Sequence, residues 1–335
     1  MTGVSDDFSA KYHFSMGIRG LSSFIKWKVP NARTSLVWNR HRGEVWGIDC
    51  SCILYRARGA NLLPITVLAS LLVRMRLAGI RAICVFDGRP PAAKSDTIEH
   101  RRVLRQAAQK EMADIRSDIN ERDLTLTERA ALEIRHAALQ KKAPVISGVD
   151  KDDVKNLLYA AGVQFITAYG EADDVLAYLC RNREMHAVVS TDMDMLARGV
   201  PLLVIPETSD TSVLTAIRLA DVLNGCGLSW PQFVEACVLM GTDYSCKGWQ
   251  PMDPRVAIPA ARTGVNWDDI DPSGVMKQGR DLLMGNITWD DIVSEKQRAK
   301  WALGAPPFEP DNLTALVATH KWPVSWAAIL GSLDT

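Results

Sequence analysis

The stretch VVSTDMDML, residues 188–196, ends an apolar, β-branched run on two aspartates separated by a single methionine. A strand turning into solvent is served by one such residue. Asp192 and Asp194 repel each other unless a cation lies between them or water screens both. Working outward, the same arrangement recurs. EVWGI (44–48) reads as a strand ending at Asp49, and IRAICVF (80–86) as a strand ending at Asp87. Between them LLPITVLASLLV (62–73) reads as a buried helix, too short to span a bilayer. DVKNLLYAAG, VQFIT, EADDVLAYLCRN and AVVST continue the rhythm as helix, strand, helix, strand. Such alternation predicts an α/β fold with a mainly parallel central sheet flanked by helices. In open sheets of this kind the carboxyl ends of the strands line the ligand crevice, so Asp49, Asp87 and Asp192 should meet there.

The βα rhythm breaks once, from 90 to 142, where charged helix-forming sequence such as HRRVLRQAAQKEMADIR replaces any strand signal. The expected division is an N-terminal extension (1–15), an α/β core (16–205) carrying the 90–142 helical insertion, a helical region (206–265) and a helical C-terminal appendage (266–335). Residues 1–15 lack the apolar stretch of a signal peptide and the arginines of a transit peptide, with Met16 as an alternative start. NWDDI (266–270) and TWDDI (288–292) look repeated, but each fits a helix start capped by Asn266 or Thr288. Lys and Arg number 39 against 39 for Asp and Glu, so attraction to a polyanion must be local. Seven cysteines without a CxxC pair point to buried thiols in a reducing compartment.

Adding Glu171 and Asp173, which open the helix after VQFIT, and Asp243, just past the helix FVEACVLMG (233–241), collects seven carboxylates at one sheet edge. Singly, each is equally a turn former, and acids at a helix start are welcomed by its dipole. Jointly they call for cations. Oxygen ligands without histidine or cysteine suit Mg²⁺, with Mn²⁺ able to substitute. Two such ions about 4 Å apart are a common device for phosphodiester hydrolysis.

Six motifs in order resemble the flap endonuclease (XPG/Rad2) family of structure-specific 5′ nucleases: MGIRGLSSFI (16–25), GIDCSCILY (47–55), VFDGRPPAAKSDTIEHRR (85–102), YGEADDVLAYL (169–179), STDMDML (190–196) and GTDYS (241–245). The resemblance implies a PIN-like nuclease core whose 90–142 insertion is a helical arch passing a single-stranded 5′ end. It implies that Asp49, Asp87, Glu171, Asp173, Asp192, Asp194 and Asp243 bind two Mg²⁺ ions. By the same resemblance Lys94 and Arg101 act at the scissile phosphate, Tyr55 stacks a nucleotide, and Gly17 lies near the substrate path. Arg89, Arg102 and Arg105 are further expected DNA contacts. The expected activity is 5′ flap endonuclease and 5′→3′ exonuclease, with junction resolution, RNA-primer removal or non-catalytic nucleic-acid binding as alternatives. A monomer acting on DNA with a 5′ flap, nick or end is expected, at a site of DNA replication in the nucleus or a viral replication site, with no membrane. The chain departs from the family after GTDYS. KGWQPMDPRVAIPAARTG (247–264) lacks the glycines of the family's duplex-gripping hairpin, and Pro259 is expected to break the helix there. No sliding-clamp motif is recognised.

Overall fold

The computed structural model describes residues 17–89, 95–242, 249–271, 273–285 and 287–332. Lys94 and Asp243 lie outside them, as do the side chain of Arg101 and the extension 1–15. Seven strands form one sheet: β1 (Arg33–Ser35), β2 (Val45–Asp49), β3 (Arg81–Phe86), β4 (Gln164–Thr167), β5 (Ala187–Val189), β6 (Leu202–Pro206) and β7 (Leu214–Arg218), in the order β1-β7-β6-β5-β2-β3-β4. The β6–β5–β2–β3–β4 body is parallel. At one edge β7 pairs antiparallel with β6, and β1 with β7.

Period-two alternation sorts the strand side chains onto two faces. Ile83, Val85, Val188, Leu203 and Ile217 face a core completed by the helices Ala172–Arg181, Trp230–Met240 and Pro254–Thr263. Trp46, Ile48, Cys84, Phe86, Val189 and Val204 face a second core, completed by Cys50–Gly59, Pro64–Leu77 and Gly148–Ala160. Burial on both faces explains why these strands read as continuous apolar runs. The C-terminal helices divide between the two: Trp267, Met276, Leu283 and Ile292 join the first core, Leu313, Trp322 and Leu330 the second. Among the described residues six cysteines are free and buried, and no helix is long and apolar enough to cross a membrane.

The insertion is a hairpin of two helices, Ser95–Glu121 and Leu126–Lys142, with a small core of its own around Ala108, Ile115, Leu139 and Ala143. Thr125 and Glu128 form a reciprocal capping box at the second helix, as Thr288 and Asp291 do in TWDDI. Asn266 makes no cap bond; its side-chain amide instead donates to Asp269 Oδ2 at 2.7 Å.

Two expectations are corrected. The region 206–265 is not wholly helical, because 214–218 is strand β7, held by antiparallel pairing to β6 on one side and β1 on the other. Pro259 does not break its helix. Pro254–Thr263 runs through it, capped by Asp253, with Ala257, Ile258 and Ala261 buried on its core-facing side. Packing of that stripe outweighs the backbone hydrogen bond and steric fit a mid-helix proline forfeits.

Two helices of the second core, Cys50–Gly59 and Gly148–Ala160, are tied together by Asp150, which is 5% exposed. Its carboxylate accepts from the Ser147 N–H at 2.9 Å and hydroxyl at 2.8 Å, and from Arg58 Nε at 3.0 Å. Burial pushes this carboxyl up, but Arg58 and Ser147 together hold it below its ordinary value. Asp150→Ala is expected to cost about 2 kcal/mol in urea unfolding at pH 7. A depressed carboxyl stabilises above its unfolded pKa and loses that contribution as pH falls through the folded one. The wild-type advantage over Asp150→Asn should therefore shrink below about pH 4, and an advantage that grows toward pH 3 would contradict this origin.

Candidate active site

Strand register brings the acids to one edge. Asp49 ends β2 opposite Val85, and the neighbouring Ile48 is opposite Val189. Asp87 and Asp192 thus sit two residues beyond Asp49's level on the strands to either side. Asp49 is also the N-cap of Cys50–Gly59: its Oδ1 accepts from the Cys52 N–H at 3.0 Å and its Oδ2 from the Ser190 hydroxyl at 2.8 Å. Ser190 Oγ in turn accepts from the Asp192 N–H at 3.1 Å. Asp87 accepts from the Ser51 hydroxyl and, at 2.9 Å, from the Ala172 N–H. That second bond binds the end of β3 to the start of Ala172–Arg181, the helix presenting Glu171 at its N-cap and Asp173 in its first turn. Asp192 Oδ1 accepts from the Asp194 N–H at 2.9 Å, turning the chain into the short helix Asp194–Ala197. Trp230 Nε1 anchors that helix by donating to the Ala197 carbonyl at 2.9 Å.

Six predicted acids therefore surround one crevice, and the electrostatics register their proximity. Burial, then the charge of Asp87, pushes the Asp49 carboxyl up to about 7 against the pull of its Cys52 and Ser190 hydrogen bonds. Burial, then the charge of Asp192, holds the Asp173 carboxyl well above the ordinary range, and Arg198 opposes this. Among the described residues no three His, Cys, Asp or Glu side chains close around one point tightly enough to grip an ion. The donor chemistry nonetheless fits a hard divalent cation: the groups are carboxylate oxygens, and a cation relieves the repulsion that raises Asp49 and Asp173.

Gly17 lies against this crevice rather than apart from it. A Cβ at Gly17 would fall 2.6 Å from Asp192 Oδ1 and 3.2 Å from Asp194 Oδ1. The missing side chain makes room for the protein's own carboxylates. Tyr55, two turns along the helix that Asp49 caps, is half-buried, and the Arg105 guanidinium of the insertion lies over its ring at 5.6 Å. The expected stacking surface and an expected DNA contact thus occupy each other. Arg102 is exposed and paired with Glu99 at 2.7 Å, a helix-face pair. Arg89 is exposed, its backbone N–H donating to the Tyr169 carbonyl at 3.0 Å. Arg255, in the altered segment after GTDYS, is held by both oxygens of Asp253, at 2.8 and 2.9 Å.

Three residues of this site were not among the predicted ones. Ser190 and Ser51 orient acids, and Arg198 is buried between Asp174 and Glu171. The serines could have been found from their places in STDMD and DCS, each two residues from an acid. An arginine in the apolar run MLARGV carries no such signal, since a solvated surface position reads identically.

The XPG N-terminal domain family model matches residues 16–108, and the XPG I-region model residues 162–243. Flap endonuclease 1 of Cryptosporidium muris (strain RN66) is 29% identical over 256 residues, covering 68% of this chain and 52% of its own length. The chain spans about half the length of the curated relatives it matches. The fold is similar to flap endonuclease-1 from Methanococcus jannaschii, with a TM-score of 0.64 at 18% identity over 94% of this chain and 98% of that one. It is also similar to the Holliday junction-resolving enzyme GEN1 in complex with product DNA and Mg²⁺, with a TM-score of 0.54 at 17% identity over 90% and 73% of the two chains.

Proposed function

Because the chain belongs to the XPG/Rad2 family, whose N-terminal and I-region models match both parts of its α/β core, we propose that it is a Mg²⁺-dependent, structure-specific 5′ nuclease. It cuts DNA near junctions of single strand and duplex, as a flap endonuclease and 5′→3′ exonuclease. The observation that carries this reading is the convergence of Asp49, Asp87 and Asp192 from adjacent parallel strands with Asp173 across the crevice, where burial and mutual charge lift Asp49 and Asp173. Asp49, Asp87, Glu171, Asp173, Asp192 and Asp194, with Asp243, would hold the ions. Two bound divalent cations would lower the pKa of an attacking water and steady the leaving 3′ oxygen.

The chain's own groups do the positioning. Ser190 and Ser51 fix the carboxylates of Asp49 and Asp87, so these present set oxygens to the crevice. The helical hairpin, rising beside Cys50–Gly59, provides a passage for a single-stranded 5′ end. At its base the Arg105 guanidinium covers the Tyr55 ring, so a nucleotide stacking on Tyr55 would first displace Arg105, whose charge would then be available to a phosphate. Lys94 and Arg101 would supply positive charge where negative charge builds on the phosphate. Hydrolysis there leaves a 5′ phosphate and a 3′ hydroxyl. Binding of duplex by Arg255 would require release from Asp253, so the main grip is assigned to the crevice and hairpin. Such an enzyme acts as a monomer wherever its DNA is replicated, in the nucleus or a viral replication site.

The test is cleavage of a 5′-labelled flap with Mg²⁺ and with EDTA, beside a nicked duplex, a four-way junction and an RNA-primed duplex. Release of the flap near the junction, abolished by EDTA and faster than cutting of the other three, is the expected result. Binding without cutting in both Mg²⁺ and Mn²⁺ would mean that the fold serves binding alone. Lys94→Ala is expected to slow single-turnover cleavage about 10²-fold while flap affinity changes only a few-fold. Equal losses in rate and affinity would remove Lys94 from the phosphate.

A further inference from the structure

Arg198 is the only buried lysine or arginine among the described residues, 2% exposed. Its guanidinium donates to Asp174 Oδ1, and its other terminal nitrogen lies 3.6 Å from Glu171 Oε2. Its backbone N–H donates to the Asp194 carbonyl at 2.9 Å, and its own carbonyl accepts from Arg181 Nη1 at 2.9 Å. This one residue therefore spans the two segments that carry Glu171, Asp173, Asp192 and Asp194. Burying a guanidinium costs several kcal/mol unless its charge is answered, and an apolar side chain of like volume could fill the space more cheaply. A purely structural pair would need Asp174 alone. Arg198 also reaches Glu171, an acid of the crevice, so its charge acts on the group that would receive cations.

We propose that Arg198 is a resident counter-ion of the acid pocket, a fixed positive charge that lets the carboxylates pack without metal and, by the same charge, weakens the pocket's affinity for divalent cations. The inference rests on the metal-dependent reading above. Arg198 touches no reacting atom in this scheme and acts through Glu171 and Asp173, so it is a positioning residue. Asp174, which accepts from the Arg198 guanidinium, sets how much of that charge the pocket feels. The two residues are thus assigned opposite effects. Loss of Arg198 makes the pocket more negative and tightens cation binding; loss of the Asp174 charge unmasks Arg198 and loosens it.

Mn²⁺ binding to the DNA-free full chain, followed by electron paramagnetic resonance, tests this without any activity readout. Arg198→Met is expected to bind Mn²⁺ about tenfold more tightly than wild type, and Asp174→Asn about tenfold more weakly. Arg198→Met should also melt lower than wild type in EDTA and recover part of the difference at saturating Mn²⁺. Two variants that shift affinity in the same direction, or neither by more than twofold, would reduce Arg198 to a structural ion pair and overturn the proposal. Should Arg198→Met fail to fold, Asp174→Asn still supplies the sign, and Arg198→Lys, which keeps the charge, is expected to stay within twofold of wild type. Failure of wild type itself to bind Mn²⁺ would overturn the metal reading and this proposal with it, whereas binding with unmoved variants overturns the proposal alone.

Discussion

Asp192→Ala is expected to lower flap cleavage by at least about 10³-fold while binding of the same flap in EDTA stays within a few-fold. Asp192 lies three residues beyond the end of β5, its charge pressing on both Asp49 and Asp173. It also has a local duty, since its Oδ1 accepts from the Asp194 N–H. Alanine removes both the charge and that acceptor, so the informative partner is Asp192→Asn. Asparagine keeps an oxygen for the Asp194 N–H but cannot serve as an anionic ligand. If Asp192 is a cation ligand, both variants lose cleavage alike. The asparagine variant should also melt no lower than wild type in EDTA, because one source of repulsion is gone. Were alanine inactive and asparagine within tenfold of wild type, Asp192 would be a helix cap, and the metal assignment would have to shift to the remaining acids.

How much of this could be read in the sequence follows from what kind of signal each element leaves. The parallel strands β2, β3, β4 and β5 are buried on both faces and short, so VWGID, RAICVF, QFIT and AVV stand out as apolar runs closed by helix starts. Acids follow β2, β3 and β5, and sheet topology then forces them together. The two strands of the antiparallel end, β1 and β7, left no such mark. Arg33–Ser35 is three residues long and polar, and Leu214–Arg218 acquires its meaning from pairing with β6 on one side and β1 on the other. Pro259 misled because propensity was weighed without the packing that Ala257, Ile258 and Ala261 contribute. The tryptophans beyond residue 229 divide over both faces of the sheet, which only three-dimensional packing decides. The site's acids were legible one by one, whereas Arg198 was not, because its role depends on partners 24 and 27 positions earlier in the chain.

Gly17→Ala is expected to lower cleavage about 10²-fold, against a near-wild-type Gly20→Ala. Both glycines have φ of +75°, so alanine costs each about 1–2 kcal/mol of backbone strain. They differ in what the added methyl meets. At Gly20 it would lie 3.4 Å from Pro254 Cγ, an ordinary contact. At Gly17 it would lie 2.6 Å from Asp192 Oδ1, a separation that no Cβ sustains, with Asp194 Oδ1 at 3.2 Å. Asp192 must therefore swing away, losing the acceptor position that shapes the Asp194 turn and the orientation toward Asp49 and Asp173. Comparable drops in melting temperature for the two variants, with cleavage lost only in Gly17→Ala, would show that the glycine keeps a space for the carboxylates. In an Asp192→Asn background Gly17→Ala should then add little further loss, because the group it displaces has already been disabled. Equal activity losses in Gly17→Ala and Gly20→Ala would instead trace the effect to backbone strain at the start of Leu21–Lys28 and away from the acids.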